Sequence, residues 1–343
     1  MSEPTDALDA MLRGQRGLWV HATTPRPAVG LTPHTVVHAH DKLLVRHYAR
    51  TAERASAWPV VIVPSLINKA YICDLEPGRS LVAGLAALGH DVYLVDWGTP
   101  GEEDADEDVT YVLAVLLQHS IRRIARHAKS PKVHLFGYCM GGTLAAMYAA
   151  RFPALVGSLS TLAAPVRFAE AGRFRDLVVP LDFDVAFPAG RLVPVETMKP
   201  AFQLLDPVGS VTKYRGIDDA SRDEAALRRT MARERWLEEN VPLPGAFARE
   251  FVQRGYQEDC LERGTWPIAG QLVRLEQIAV PTLVVACERD FVAPLPAVAP
   301  LAELVPGARL EVLPTGHIGV VVGKAGPTTF YPLLDRFFRE ARP

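Results

Sequence analysis

The sequence has no apolar run long enough to cross a membrane. None of its hydrophobic stretches reaches the roughly 20 residues that a transmembrane helix needs. The first segment, from Met1 to Arg16, is mixed and partly acidic, without the basic start and the apolar stretch of a secretory signal. We therefore expect a cytoplasmic protein with no membrane anchor.

The sequence also lacks a surplus of either charge. It contains 37 Lys and Arg residues against 39 Asp and Glu residues, which gives a formal net charge of −2. Proteins that bind nucleic acids carry clustered cations that neutralise phosphates. This balance therefore gives no reason to expect a nucleic-acid partner.

Cysteine is scarce, and the spacing of its residues is wide. The four cysteines fit no zinc-binding pattern, and in a reducing cytosol we expect free thiols. They are Cys73, Cys139, Cys260 and Cys287. His38 and His40 alternate on a predicted strand, but no third ligand candidate lies near them, so we expect no metal site there.

What the sequence does contain is an alternation of short strands and helices. Hydrophobic residues make up 49% of the chain and charged residues 22%, the composition of a globular protein with a large core. Short aliphatic runs predict strands at 60–63, 91–95, 133–136, 158–162, 282–286 and 309–313. Helical patterns lie between and after them at 77–88, 109–128, 141–151, 296–304 and 328–339. This alternation predicts a mostly parallel sheet with helices on both faces.

The alternation is interrupted once, which suggests how the chain is divided. Residues 1–45 are expected to be an N-terminal arm, loose over roughly its first 30 residues, with a hairpin over 35–48. Residues 46–164 and 271–343 would form the α/β core. The stretch 165–270 between them has a helical pattern with scattered aromatic residues, and we interpret it as an inserted helical cap.

The sharpest local signal is the segment 137–142 (GYCMGG), between a predicted strand and a predicted helix. It has the spacing and context of the nucleophile elbow G-x-S-x-G, with cysteine in the serine position. Small flanking residues let strand and helix approach closely, and the N-terminus of the helix stabilises a thiolate. Because glycine-rich turns are common, the assignment of Cys139 as nucleophile also depends on partners farther along the chain.

Candidates for those partners follow in the order acid, then histidine. Asp290 comes just past the fifth predicted strand, at the sheet edge where active sites gather. Glu288 competes with it, but the position of Asp290 in the turn before Pro294 favours Asp290. His317 follows the sixth predicted strand, with glycines close on both sides. We predict that His317 takes the proton of the Cys139 thiol as general base and that Asp290 orients its imidazole.

An oxyanion hole needs backbone N–H donors close to the nucleophile. The N–H of Met140 would supply one of them. The second would come from the loop after the first core strand, residues 64–69, where Leu66 and Ile67 are the candidates.

Segments spread along the chain resemble the poly(3-hydroxyalkanoate) synthases. They are 64–75 (PSLINKAYICDL), 91–97 (DVYLVDW), 137–142 (GYCMGG), 234–236 (ERW), Phe247, Tyr256 and 316–319 (GHIG). The likeness spans about residues 46 to 340, and the short N-terminal arm is similar to that of the short synthases, which work with a dissimilar second subunit. The sequence departs from the family pattern at Phe291, where the family commonly has His, and at Met140, where short synthases usually carry a polar residue.

The resemblance implies an α/β-hydrolase fold with Cys139, Asp290 and His317 as catalytic residues, and it favours Ile67 as the second oxyanion donor. It implies an acyltransferase that polymerises (R)-3-hydroxyacyl-CoA, with CoA as leaving group and no metal or redox cofactor. Its expected partners are the growing polyester chain or granule, a second synthase subunit and a second copy of the chain.

Two other functions stay open. One is a thioesterase or another hydrolase on the same scaffold, with water as acceptor. The other is a non-catalytic paralogue that binds granules or a partner subunit.

Overall fold

Short β-branched and aliphatic runs form the strands of one eight-stranded sheet. The computed structural model describes residues 4–187, 189–205 and 207–341. The strands of this sheet are β1 (Thr35–His40), β2 (Leu43–Tyr48), β3 (Val60–Val63), β4 (Val92–Asp96), β5 (Val133–Tyr138), β6 (Val156–Leu162), β7 (Thr282–Cys287) and β8 (Arg309–Leu313). Their order is β1-β2-β4-β3-β5-β6-β7-β8.

Most neighbours in this sheet are parallel. The β1–β2 and β2–β4 pairs are antiparallel, and the other five pairs run parallel. Strands β3, β5, β6 and β7 are buried along their whole length, as expected for strands covered by helices on both faces. The predicted fold class, a mostly parallel α/β sheet, is confirmed.

Helices connect these strands and also fill the insertion between β6 and β7. The helices of the described residues are α1 (Pro4–Thr23), α2 (Leu81–Ala87), α3 (109–127), α4 (Met140–Arg151), α5 (Gly172–Val178), α6 (Phe183–Ala186), α7 (Val195–Leu205), α8 (Pro207–Ala220), α9 (Glu224–Glu238), α10 (Gly245–Glu250), α11 (Leu295–Val298), α12 (Pro300–Leu304), α13 (Gly319–Val322) and α14 (Tyr331–Glu340). Wider π turns occur within α3 at Val112–Leu117, after α10 at Phe251–Gln257 and before α14 at Gly326–Phe330.

The expectation of a loose N-terminal arm is wrong for residues 4–23. They form α1, which packs along α8. Arg16 pairs with Asp218, and the backbone at Gly17 lies so close to the carbonyl of Tyr214 that a Cβ would overlap it. Because glycine lowers helix propensity, this helix depends on tertiary contacts that the local sequence does not show.

The predicted hairpin is present, but it belongs to the main sheet. Strands β1 and β2 pair around a turn at Asp41, and β2 pairs on its other side with β4. The expected domain boundary between residues 45 and 46 therefore falls inside a strand. Pairing with a strand about 50 residues away is not visible in a local pattern.

The insertion between β6 and β7 contains α5 to α10, in the stretch where the sequence predicts a cap. Aromatic side chains form clusters in this region. The ring of Phe168 meets that of Tyr256 edge to face at 4.7 Å, and the rings of Phe251 and Trp266 lie 5.9 Å apart. Within the described ranges, no helix is long and apolar enough to span a bilayer.

Candidate active site

Cys139 lies on the sharp turn between β5 and α4. Its backbone has φ 56° and ψ −131°, a conformation that residues with a Cβ rarely adopt. Two hydrogen bonds hold the turn: the Cys139 amide donates to the carbonyl of Leu162 on β6 at 2.8 Å, and the Gly142 amide donates to the Cys139 carbonyl at 2.8 Å. The side chain is half-buried, and its thiol forms no disulfide.

Glycines around Cys139 let the strand and the helix come close. A Cβ on Gly137 would lie 2.8 Å from the Cβ of Ala145 on α4. A Cβ on Gly141 would overlap the carbonyl oxygen of Pro64, just past β3. Larger residues at these two positions would push the helix away from the sheet, so the small residues of the elbow are a packing requirement.

His317 and Asp290 form a hydrogen-bonded pair at the same edge of the sheet. Nδ1 of His317 lies 2.7 Å from Oδ2 of Asp290. The other carboxylate oxygen accepts the backbone amides of Val292 and Ala293, each at 2.9 Å. Because the Asp290 side chain has 0% exposure, these three hydrogen bonds fix its orientation without help from solvent.

The two acidic candidates occupy different environments. Glu288 is exposed, whereas Asp290 is buried and faces His317. The structure therefore favours Asp290 as the group that orients the imidazole.

Burial and charge act in opposite directions on His317. Burial by itself lowers the pKa of His317, because it removes water from the imidazolium. The charges of Asp290 and Cys139, with hydrogen bonds to both, outweigh burial and raise the pKa of His317 well above its ordinary value of 6.5. The site therefore favours the imidazolium form of His317 beside the Cys139 sulfur.

Tyr138 positions His317, a role that the sequence analysis did not assign. Its hydroxyl donates to the backbone carbonyl of His317 at 2.9 Å, and the two ring centroids are 5.3 Å apart. Burial raises the pKa of Tyr138 well above its ordinary value, so the hydroxyl keeps its proton and remains a donor. The only local signal for this role is the place of Tyr138 directly before Cys139.

The expected oxyanion donors lie in the two segments nearest the nucleophile. Met140 is the first residue of α4, so its amide has no acceptor within the helix. The Ile67 carbonyl accepts the Val241 amide at 3.1 Å, and within the described residues the Ile67 amide donates to no backbone carbonyl. The Leu66 amide likewise donates to no backbone carbonyl within the described residues. Both loop candidates therefore stay open, and the oxyanion role remains a prediction.

A narrow cavity lies over the thiol of Cys139. Its volume is about 20 Å³, which is room for about one water molecule. Its walls are formed by Pro64, Ser65, Asn68, Lys69, Ile72, Tyr138, Cys139, Trp236 and His317. Cys139 and His317 thus line the same cavity, while Asp290 lies behind His317, and Ile67 and Met140 are not part of the wall.

The cap closes this cavity through contacts with the loop 66–71. The indole N–H of Trp236, which is 5% exposed, donates to the carbonyl of Lys69 at 2.9 Å. The side-chain amide of Asn68 donates to that of Asn240 at 2.7 Å. Asn68 and Asn240 are 172 positions apart, so no local signal could have paired them.

Histidines outside this site do not assemble into a metal centre in the part of the chain that the structure describes. The rings of His38 and His40 are 6.4 Å apart, and His119 lies 5.9 Å from His40. No group of three or more His, Cys, Asp or Glu side chains in the described ranges is arranged to hold a metal ion.

Solved structures with the same arrangement of strands and helices share little sequence with this chain. The BpoC protein of Mycobacterium tuberculosis superposes with a TM-score of 0.55 at 20% identity, over 89% of this chain and 100% of that one. The proline iminopeptidase of Mycobacterium smegmatis superposes with a TM-score of 0.51 at 17% identity, over 90% of this chain and 98% of that one. This likeness concerns the fold alone.

Sequence comparison is more specific. The family model of the α/β-hydrolase fold matches residues 59–324, and that of the poly-beta-hydroxybutyrate polymerase (PhaC) N-terminus matches residues 26–85. The poly(3-hydroxyalkanoate) polymerase subunit PhaC of Synechocystis sp. is 32% identical over 324 residues, which cover 91% of this chain and 85% of that protein. The chain belongs to the poly(3-hydroxyalkanoate) polymerase family.

Other polymerase subunits agree with this membership. The PhaC subunit of Haloferax mediterranei is 33% identical over 93% of this chain, which spans 66% of that subunit's length. The PhaC subunit of Allochromatium vinosum is 29% identical over 91% of this chain and 89% of its own length. The resemblance, the α/β-hydrolase fold and the acyltransferase class of enzyme are confirmed, whereas the roles of Cys139, Asp290 and His317 stay predictions that the geometry supports.

Proposed function

We propose that this polymerase relative links (R)-3-hydroxyacyl groups from CoA thioesters into a polyester, with the acyl group carried on Cys139. The observation that supports this most directly is a cysteine on the elbow beside an imidazole with a raised pKa. A thiol suits the reaction because the acyl group moves from one sulfur to another. The thioester that forms resembles the one that breaks, and the acyl group stays activated.

In the first step, the Cys139 thiolate attacks the carbonyl carbon of the CoA thioester. The new carbon–sulfur bond moves an electron pair onto the carbonyl oxygen, where the N–H groups of Met140 and Ile67 donate. The carbonyl then re-forms, and the bond to the CoA sulfur breaks. His317 gives its proton to that sulfur, so CoA leaves as a thiol and His317 becomes neutral.

In the second step, neutral His317 acts as the base. It takes the proton from the hydroxyl of another 3-hydroxyacyl unit while that oxygen attacks the acyl carbon on Cys139. An ester forms, the carbon–sulfur bond breaks, and the thiolate and imidazolium return. Acylation removes the Cys139 charge that helps to raise the pKa of His317, so this pKa falls at the stage that needs a base.

The narrow cavity under the cap bears on the choice between polymer and free acid. Water competes with the hydroxyl for the acyl group, and a closed site limits its access. The space of about 20 Å³ over the thiol does not hold a whole CoA thioester, so we propose that the cap opens when the substrate enters. We propose that this opening breaks the bonds of Trp236 to Lys69 and of Asn68 to Asn240.

The partners of the chain are part of the same proposal. The relatives in Synechocystis sp. and Allochromatium vinosum are named polymerase subunits. We extend this to the present chain, with a dissimilar second subunit as partner and the polyester granule in the cytoplasm as its location. The proposed chemistry uses no metal or redox cofactor, and CoA enters and leaves with the substrate.

The test is CoA release from (R)-3-hydroxybutyryl-CoA with the product collected, for the wild type and for Cys139→Ala, with and without candidate second subunits. We expect release that depends on Cys139 and insoluble polymer in the pellet. Release that depends on Cys139 with only soluble 3-hydroxy acid under every condition would establish a thioesterase instead. The absence of release under every condition would point to the non-catalytic paralogue.

A further inference from the structure

The hydroxyl of Ser65 is buried next to Cys139 without a hydrogen-bond partner. Ser65 is 6% exposed, and among the described residues its Oγ contacts no donor or acceptor at hydrogen-bond distance. It lines the same cavity as Cys139 and His317. Burial of an unpaired hydroxyl is unfavourable, because the water that it loses is not replaced. A group of this kind in a reaction cavity is suited to bind what enters the cavity.

The register of the sheet explains why Ser65 lies beside the nucleophile. Val63 on β3 is the parallel partner of Gly137 on β5. Two residues beyond this pair, Ser65 follows β3 and Cys139 follows β5. Adjacent parallel strands are about 4.8 Å apart, so the two side chains leave the sheet edge as neighbours.

The backbone before Ser65 is held firmly. The carbonyl of Pro64 accepts the indole N–H of Trp97 at 2.9 Å. The same carbonyl lies against Gly141 in the first turn of α4, where a Cβ would overlap it. Ser65 therefore follows a residue that packs against the N-terminal end of α4, where the Met140 amide lies.

We propose that the Ser65 hydroxyl donates a hydrogen bond to the carbonyl oxygen of the acyl group as it moves onto and off Cys139. This inference rests on the acyl transfer proposed above and adds a side-chain donor to its backbone donors. Ser65 keeps its proton throughout, and the hydrogen bond strengthens as negative charge develops on the oxygen. Because the hydroxyl has no other partner in the described protein, it need not break a bond within the protein to do this.

The test compares Ser65→Ala and Ser65→Thr with the wild type in a single turnover. Acylation of Cys139 is followed by rapid quench and intact mass, with (R)-3-hydroxybutyryl-CoA and with butyryl-CoA. We expect Ser65→Ala to slow acylation by both substrates about 10²- to 10³-fold, as for other oxyanion donors, and Ser65→Thr to retain more of the rate.

Thermal unfolding and a matched variant separate this role from a structural one. Ser65→Ala removes an unpaired buried hydroxyl, so we expect its Tm to equal or exceed that of the wild type. Ser160 also has a buried hydroxyl without a partner among the described residues, but it lies on β6 and outside the cavity wall. Ser160→Ala should therefore leave acylation unchanged.

Several results would overturn the inference. The first is an unchanged acylation rate in Ser65→Ala. The second is a slower acylation rate with the 3-hydroxyacyl substrate alone. The third is a Tm so much lower in Ser65→Ala that partial unfolding explains the slower rate. The second result would mean that Ser65 binds the 3-hydroxyl group of the substrate. If wild-type Cys139 accepts neither acyl group, the proposed function itself fails, and the role of Ser65 fails with it.

Discussion

Replacement of Asp290 by Asn should uncouple the imidazole from the thiol without unfolding the protein. The buried carboxylate accepts two backbone amides on Oδ1 and faces His317 with Oδ2. An Asn side chain can keep its carbonyl oxygen toward the two amides. Its NH₂ group then faces Nδ1 of His317, which must become an acceptor. The ring proton moves to Nε2, so His317 can no longer take a proton from Cys139.

The size of the effect follows from this change of tautomer. Because the Asp290 side chain has 0% exposure, no water can replace the lost interaction. A wrong histidine tautomer in a catalytic triad costs about 10⁴-fold in rate. At about 1.4 kcal/mol for each tenfold change, this is about 5.5 kcal/mol of lost transition-state stabilisation. The pKa of His317 should also fall, since the Asp290 charge helps to raise it.

Two assays check this prediction. Single-turnover acylation gives the rate for Asp290→Asn. Alkylation of Cys139 by iodoacetamide near neutral pH should also be slower, because the variant destabilises the neighbouring imidazolium of His317. Glu288→Gln is the matched control, because Glu288 is exposed two residues away and should retain the wild-type rate.

A loss of less than tenfold in a folded Asp290→Asn variant would refute the role of Asp290 in orienting His317. An equal loss of activity in Glu288→Gln and Asp290→Asn would refute this role as well. Circular dichroism and Tm establish that both variants are folded before their rates are compared.

Two further predictions concern the cap and the core. Trp236→Phe should leave the Lys69 carbonyl without its donor and destabilise the closed cap by about 1 to 3 kcal/mol. Water should then reach the acyl enzyme more easily and shorten its lifetime. An unchanged rate of acyl-enzyme hydrolysis in rapid-quench experiments would contradict this. Burial of His134, and secondarily the charge of His90, lowers its pKa to about 3, so below pH 6.5 the unfolded chain binds a proton that the folded one does not. The contribution of His134 to the free energy of unfolding is complete above pH 6.5 and falls by about 1.4 kcal/mol for each pH unit below it. Urea titrations at pH 7 and pH 5 should therefore show a smaller loss of stability for His134→Leu than for the wild type. An equal loss in both proteins would disprove this assignment.

Local sequence determined the elbow, because all of its signals are contiguous. A strand, a tight glycine-rich turn and a helix follow one another within 133–151, and the steric need for glycine at 137 and 141 is visible in the letters themselves. The alternation of strands and helices likewise determined the mostly parallel sheet, because each buried strand carries its own short apolar run. The order of nucleophile, acid and histidine then selected His317.

Tertiary structure decided what depends on contacts between distant segments. It supported the sequence-based preference for Asp290 over Glu288, because the fold shows that Asp290 is the carboxylate buried against His317. It also showed that residues 4–23, expected to be a loose arm, form α1. Arg16 and Gly17 contact residues of α8 that are about 200 positions away in the sequence. Local sequence records propensity, whereas these features depend on which side chains the sheet register and the cap bring together in space.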